Sequence, residues 1–261
     1  MSDPCCRVES LDQVLVVTID RPERRNALDR AASFELGGLF DEFERDRTHR
    51  VALRTGAGDK AFCAGADLRS ADEPKGPEDA TPATGFGGLI ARFGRTKPVI
   101  AAVNGVAAGG GFELALACDL IIASERASFG LTEPRVGLAA MGGGVPRLIR
   151  EIGPKAAHAL LLTGRLIPAA EGFRLGFVNE VVPNDELLTA ALRWAADIVA
   201  CSPASIRATK EMADTADGQR LEESIAGMFA LPAVQALLAS PDAREGPRAF
   251  AERRTPQWSD L

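Results

Sequence analysis

Short apolar runs alternate, along the first half of the chain, with segments whose apolar residues recur at helical spacing. The run Val14–Ile19 is rich in β-branched residues and predicts a strand that ends in the turn-forming segment 20–23. A helix is expected to begin near residues 26–29, and residues 51–53 predict a second, buried strand. The predicted helix has an apolar face made of Phe34, Leu36, Leu39, Phe40 and Phe43. Strands alternating with helices predict an α/β fold.

The alternation continues through Val99–Val103, which predicts a central strand, a glycine turn with a helix over 111–118, and a strand over 120–123. Residues 70–88 are rich in Pro, Gly, Asp and Thr and predict a long loop. Beyond residue 144 the pattern becomes mainly helical. The helical segments are 155–162, 186–200, 204–212, 221–238 and 243–253, with a short strand at 177–182.

Composition narrows the function classes. The chain of 261 residues is 46% hydrophobic and 25% charged, and 30 basic against 36 acidic residues give a net charge of −6. Without a basic run, nucleic-acid binding is disfavoured. The apolar runs are shorter than the ~18 residues that a membrane span needs, which disfavours a membrane protein. The N-terminus lacks an apolar signal region, so a cytoplasmic location is expected.

The cysteines are scattered, without a CxxC pair, and do not predict a disulfide framework. With only His49 and His158 available, no zinc-ligand spacing is visible and no metal is expected. Cys5 and Cys6 fall near a terminus that we expect to be loose. Cys63 is expected to be a packed thiol rather than a nucleophile, because neither histidine is near it in sequence. Four arginines predict a solvated face or, alternatively, a contact with a phosphate-bearing ligand: Arg244, Arg248, Arg253 and Arg254.

A glycine-rich segment follows the predicted central strand and leads into a helix. Residues 104–113 read Asn-Gly-Val-Ala-Ala-Gly-Gly-Gly-Phe-Glu. Strand, glycine turn and helix in this order expose unpaired backbone N–H groups that can bind an anion or polarise a carbonyl oxygen. The segment matches neither the dinucleotide pattern GxGxxG nor a phosphate loop ending in GKS or GKT, which disfavours nucleotide binding. A tight connection without a ligand stays an alternative.

Two glutamates, Glu113 and Glu133, are the candidate proton-transfer groups. Glu113 stands in the first turn of a helix, where an acid can simply complement the helix dipole. Its neighbours in sequence are apolar, so burial is expected to raise its pKa and suit it to proton transfer near neutral pH. Taken alone, Glu133 would be interpreted as an acid in a surface loop. It is a candidate because it occurs together with Glu113. Backbone N–H groups can come from two segments, 104–113 and 61–68. Together with two acids, they are the groups needed to stabilise an enolate and to move protons around it.

With these motifs in place, the chain resembles the crotonase (enoyl-CoA hydratase/isomerase) superfamily over nearly its whole length. The motifs are Arg21-Pro22 with Asn26-Ala27-Leu28, then 62–68, 100–105 with 109–115, Cys118-Asp119, Leu162-Thr163-Gly164 and 176–182. The resemblance implies an α/β fold, a spiral of ββα units over residues 1–194, and a helical C-terminal region over 195–261 used in trimer contacts. A homotrimer or a dimer of trimers is implied. The implied substrate is an acyl-CoA thioester, so coenzyme A enters with the substrate and no separate cofactor is expected.

The resemblance also implies roles for individual residues. Ala66 and Gly110 match the oxyanion donors that polarise the thioester carbonyl. Glu113, ionised, matches the base that activates water for addition to C3, and Glu133, protonated, matches the acid that delivers a proton to C2. The further substrate-binding positions implied are Ala27, Ala64, Gly65, Asp67, Leu68 and Gly109.

The predicted activity is enoyl-CoA hydration, or the reverse dehydration of a 3-hydroxyacyl-CoA. An isomerase or a thioester hydrolase on the same fold is the first alternative, because one acid often suffices there. A non-catalytic acyl-CoA-binding subunit is the second. The chain departs from many hydratases at Pro134 and over 139–141, and this leaves room for a branched, aromatic or carnitine-like acyl group.

Overall fold

The apolar runs form the strands of two sheets in the computed structural model, which describes residues 4–69 and 81–259. In chain order the strands are β1 (Cys6–Leu11), β2 (Val14–Ile19), β3 (Val51–Gly56), β4 (Ala61–Cys63), β5 (Val99–Val103), β6 (Val106–Ala108), β7 (Leu120–Ser124), β8 (Ser128–Gly130), β9 (Ile167–Pro168) and β10 (Glu180–Val182).

The larger sheet has the order β1-β2-β3-β5-β7-β10 and is parallel except where β1 pairs with β2. The smaller sheet has the order β4-β6-β8-β9, and its first three strands are parallel. Consecutive strands such as β5 and β6 therefore belong to different sheets, and the chain passes from one sheet to the other. Because parallel strands need long connections, helices lie between many of them.

The α-helices are α1 (Arg30–Arg45), α2 (Gly110–Leu116), α3 (Gly144–Leu161), α4 (Ala169–Leu175), α5 (Leu187–Val199), α6 (Pro203–Ala216), α7 (Leu221–Gly227), α8 (Pro232–Ala239) and α9 (Asp242–Glu252). Helix α1 packs on one face of the larger sheet through Leu36, Phe40 and Phe43, each at most 2% exposed. Helix α5 covers the other face with Ala191 and Ala195. A parallel sheet covered on both faces explains why its strands read as continuous apolar runs.

Several local predictions need correction. Helix α1 begins at Arg30, because Asn26 has φ 57° and its buried side chain donates to the carbonyls of Ala57 and Ala61. The predicted helix 221–238 is broken before Pro232, since proline lacks the N–H that a continuous helix requires. The predicted strand 177–182 shrinks to β10.

The N-terminal cysteines also differ from expectation, since Cys5 and Cys6 are only 6% and 7% exposed and belong to the core rather than to a loose end.

The predicted boundary at 194/195 falls inside α5, which packs on the sheet, and the division into two regions stays a prediction. Of the predicted loop 70–88, residues 70–80 lie outside the described residues. Among the described residues, no single helix is long and apolar enough to span a bilayer. The segments 221–230 and 232–239, which contain α7 and α8 and are bent by 48° relative to each other, reach the required length and apolar composition only when they are taken together.

Candidate active site

Three parallel strands of the smaller sheet end at the same edge, and each is followed by a predicted site segment. Residues 64–68 follow β4, Gly109 and Gly110 follow β6, and Thr132 and Glu133 come shortly after β8. The carboxyl ends of parallel strands are the usual location of ligand sites in α/β proteins. The topology thus brings together segments that are up to about 70 residues apart in sequence.

A cleft of about 470 Å³ opens at this edge. Its described lining is Ala64, Gly65, Ala66, Leu68, Thr81, Phe86, Ile90, Gly109, Gly110, Glu113, Thr132, Glu133, Val136, Leu138, Ala139, Met141 and Gly142. Both predicted acids and both predicted oxyanion donors are in this set. Ala27 and Asp67 are not. The N–H of Leu28 donates to the Gly65 carbonyl, which places Ala27 beside the segment, whereas the Asp67 carboxylate pairs with Arg24 at 2.6 Å.

The two predicted oxyanion positions, Ala66 and Gly110, lie on backbone segments that approach each other closely. Gly65 has φ +94°, and a Cβ on this residue would lie 2.9 Å from the Ala108 carbonyl oxygen and 3.2 Å from the Gly110 nitrogen. Within the described part of the chain, neither the Ala66 N–H nor the Gly110 N–H donates to a protein acceptor. Two adjacent, unpaired N–H groups at the edge of a cleft can hold one carbonyl oxygen.

Glu113 is 4% exposed and stands in the first turn of α2. Its Oε1 accepts a hydrogen bond of 2.9 Å from the backbone N–H of Gly144. Burial raises the pKa of Glu113, the Gly144 hydrogen bond opposes that rise, and the charge of Glu133 adds to it. The prediction that the apolar surroundings of Glu113 desolvate it is confirmed.

Glu133 begins a short 3-10 turn, Glu133–Val136, beside the cleft. Its Oε1 lies near Gly109, where an added Cβ would be 3.3 Å away. Its Oε2 is buried and accepts no hydrogen bond from the described residues, and burial raises the pKa of Glu133. Pro134 occupies the first turn, where a missing N–H costs nothing, so it is compatible with this geometry.

Several cleft residues were missed by sequence reasoning. Phe86 and Ile90 reach the cleft from the segment before β5, and Gly142 and Gly144 fix the carboxylate of Glu113. Arg147 donates to the Ile90 carbonyl at 2.7 Å. No motif identifies these residues in a single sequence, because their role depends on contacts between distant segments.

The other candidates do not join this site. Cys63 is fully buried, its Sγ accepts from the Gly65 N–H at 3.4 Å, and burial raises its pKa to about 11, so it is confirmed as a packed thiol. Of the C-terminal arginines, Arg248 pairs with Glu252, and Arg254 pairs with both Glu245 and Glu252. These pairs fit the solvated-face interpretation.

Comparison with known proteins agrees with the fold. The sequence model of the enoyl-CoA hydratase/isomerase family matches residues 9–261. The carnitinyl-CoA dehydratase of Proteus mirabilis is 44% identical over 247 residues, which are 94% of each chain. An enoyl-CoA hydratase structure from Mycobacterium tuberculosis is 38% identical with a TM-score of 0.91, over 99% of this chain and 100% of that one. A carnitinyl-CoA hydratase structure from Mycobacterium avium is 41% identical with a TM-score of 0.77, over 100% of both chains.

These similarities cover almost the entire chain at identities well above those that indicate a common fold alone. They confirm the α/β crotonase fold expected from the motifs. The chain therefore belongs to the enoyl-CoA hydratase/isomerase family of the crotonase superfamily, and it is a hydro-lyase enzyme.

Proposed function

We propose that this protein adds water reversibly across the C2–C3 double bond of a 2-enoyl-CoA thioester to give a 3-hydroxyacyl-CoA. The observation that carries the proposal is the presence of two carboxylates and two unpaired backbone N–H groups in one cleft. In this proposal coenzyme A is part of the substrate, and the protein needs no separate cofactor.

The N–H groups of Ala66 and Gly110 bind the thioester oxygen. Polarisation of the carbonyl makes C3 electrophilic and stabilises the enolate-like charge that forms as water adds. Both donors belong to the backbone, so the side chain at position 66 matters less than the conformation set by Gly65. The segment 64–68 then leads from the thioester toward the rest of coenzyme A.

The surroundings of the two glutamates support different roles for them in this proposal. Glu113 receives a backbone hydrogen bond that favours its anion, which suits the base that takes a proton from water. Glu133 has a buried oxygen without a donor among the described residues, which favours its protonated form and suits the acid that protonates C2. Glu113 is buried and Glu133 is half-buried, so ionising both at once is costly, which supports one proton shared between them.

The acyl group contacts a mainly apolar wall. Phe86, Ile90, Val136, Leu138 and Met141 supply this wall, so a short neutral acyl chain fits it. A carnitinyl-CoA is the second candidate, since relatives such as that of Proteus mirabilis bear this name. The permanent positive charge of the carnitinyl group would have to be bound by the ring of Phe86 and by the two carboxylates. These are the aromatic and acidic groups of the described lining.

The test is a panel of crotonyl-, branched-chain, aromatic 2-enoyl- and crotonobetainyl-CoA, analysed by mass. Hydration adds one water, isomerisation leaves the mass unchanged, and hydrolysis releases free coenzyme A. A preference for crotonobetainyl-CoA would favour the second candidate. Glu113→Gln and Glu133→Gln are each expected to lose hydration by about 10²-fold or more. Full activity in both variants would refute the proposed roles, and binding without turnover on every substrate would indicate a non-catalytic subunit.

In this proposal the protein assembles as a homotrimer or as a dimer of trimers. Its support is the set of large apolar side chains exposed on the C-terminal helices of one chain. These side chains are Leu221, Ile225, Phe229, Leu238 and Phe250. Light scattering coupled to size exclusion would measure the mass, and a monomer at micromolar concentration would contradict the trimer.

A further inference from the structure

Two adjacent thiols and a carboxylate converge where the first strand meets α1. Cys5 immediately precedes β1, Cys6 is its first residue, and Glu35 stands on the second turn of α1. The two Sγ atoms and a carboxylate oxygen of Glu35 lie within 4.8 Å of one another. Both thiols are buried, whereas Glu35 is exposed to solvent, so the cluster has an open side. None of these residues lines the catalytic cleft.

The distances fit tetrahedral coordination of a thiophilic metal ion. Zn–S and Zn–O distances of about 2.3 and 2.1 Å place two ligand atoms of a tetrahedron roughly 3.6–3.8 Å apart. The Sγ of Cys6 lies 3.7 Å from Oε1 of Glu35. The Sγ of Cys5 lies within 4.8 Å of both other ligand atoms. An ion at the centre would keep a fourth position for water.

The carboxylate is already oriented by the backbone. The N–H of Cys5 donates to both oxygens of Glu35, at 3.0 and 3.1 Å. A hydrogen-bonded ligand of this kind is typical of metal sites, where outer groups fix the direction of the ligand. Without an ion the thiols serve as weak donors, since Cys5 Sγ lies 3.7 Å from the Ala32 carbonyl oxygen.

A buried cation on the same sheet face would balance the charge. Cys6 is opposite Ile19 and Arg54 is opposite Val17, so Cys6 and Arg54 point to one face of the larger sheet. Arg54 is fully buried, and its Nε and one terminal nitrogen have no partner among the described residues. Two thiolates and a carboxylate around a divalent ion carry one net negative charge, which this guanidinium offsets across about two strand spacings.

The geometry of Cys5 and Cys6 fits a disulfide less well than it fits metal binding. Adjacent Cα atoms across a trans peptide are about 3.8 Å apart, below the usual disulfide range of about 4.4–6.8 Å. We propose that Cys5, Cys6 and Glu35 form a binding site for a single thiophilic divalent ion of the Zn²⁺ class, which ties β1 to α1. The site is structural and does not depend on the proposed hydratase activity.

The experiment titrates the full-length, metal-free protein with Co²⁺ and with Zn²⁺. Co²⁺ is expected to bind once per chain and to produce thiolate-to-cobalt charge-transfer absorption. Zn²⁺ should displace it, release about two thiol protons as seen by calorimetry in two buffers, and raise the melting temperature. Cys6→Ser is expected to abolish the absorption, and Cys201→Ser, which removes an exposed cysteine elsewhere, should leave it unchanged.

Cys6 is buried, and its serine variant could fail to fold for reasons unrelated to metal. Glu35→Gln changes an exposed side chain and is expected to keep the fold while weakening Co²⁺ affinity about tenfold or more. The proposal is overturned if the wild type shows no charge-transfer absorption, or if a folded Cys6→Ser retains it. Unchanged affinity in Glu35→Gln would equally reject the three-ligand site.

Discussion

The carboxylate of Glu113 accepts a 2.9 Å hydrogen bond from the backbone N–H of Gly144, at the first residue of α3. The two residues are separated by 31 positions in sequence. This bond holds one oxygen of the proposed base against a glycine turn, while Arg147 of the same helix donates to the Ile90 carbonyl at 2.7 Å. The geometry of the base therefore depends on a turn that lacks any catalytic side chain.

The first prediction concerns Gly142. A Cβ at this position would lie 2.4 Å from Oε2 of Glu113 and 2.7 Å from Cδ1 of Ile90. Gly142→Ala must therefore displace the carboxylate from its hydrogen-bonded position. A displacement near 1 Å is expected to lower kcat/KM by about 10²-fold. Steady-state hydration of crotonyl-CoA, or of the best substrate from the panel, measures this loss.

Gly38→Ala is the matched control, because the added Cβ on α1 meets no other group of the described residues within 4 Å. It is expected to keep full activity and to stabilise the protein slightly, by about 0.5–1 kcal/mol, since alanine is the better helix former. An active Gly142→Ala would show that the carboxylate does not need its observed position.

The second prediction concerns the oxyanion segment. Gly65→Ala places a Cβ 2.9 Å from the Ala108 carbonyl oxygen in a residue with φ +94°, so the segment that bears the Ala66 N–H must move. Loss of one oxyanion donor is expected to cost about 10²–10³ in kcat. Gly176 has a comparable φ of +100°, and a Cβ added there meets no neighbouring group of the described chain within 4 Å, so Gly176→Ala reproduces the backbone strain alone. Equal losses of activity in Gly65→Ala and Gly176→Ala would show that backbone strain, and not the loss of an oxyanion donor, lowers the activity.

The parts of the fold that the sequence predicted are those with strong local patterns. β2 and β5 are short runs rich in β-branched residues, and their predicted bounds match the strands to the residue. β4, β6 and β8 have three residues each and exist only because they pair with one another. Such short pairings have no periodicity to detect, since the partner strand supplies the stabilisation.

The candidate site divides in the same way. Glu113 and Glu133 were identifiable from motifs, and the structure brings both to one cleft. Spacing along the chain shows no metal-ligand set around Cys5. Glu35 lies 30 positions from Cys5, and only the packing of β1 on α1 brings the groups together.

The third prediction concerns the charge next to the base. Burial raises the pKa of Glu113, and the positive charge of Arg147 opposes that rise. Arg147→Gln removes the opposing charge, so the pKa of Glu113 should rise further and the acid limb of kcat/KM should move to higher pH. Arg147→Lys should restore much of the profile. Arg150→Gln, which changes an exposed residue of the same helix, should not move the acid limb; a shift in this control equal to that in Arg147→Gln would contradict a local effect.

The fourth prediction tests the pKa of Glu133 through protein stability. Burial raises this pKa, so ionisation costs the folded state more than the unfolded state. The wild type should therefore lose stability, relative to Glu133→Gln, as pH rises from about 4.3 through the raised pKa. Melting temperatures are expected to be higher in the variant near pH 8 and equal near about pH 4. Glu9→Gln, on the exposed edge of β1, should match the wild type at both values. If Glu133→Gln is less stable than the wild type near pH 8, the half-buried Glu133 carboxylate is stabilised as an anion, which contradicts its proposed role as the acid.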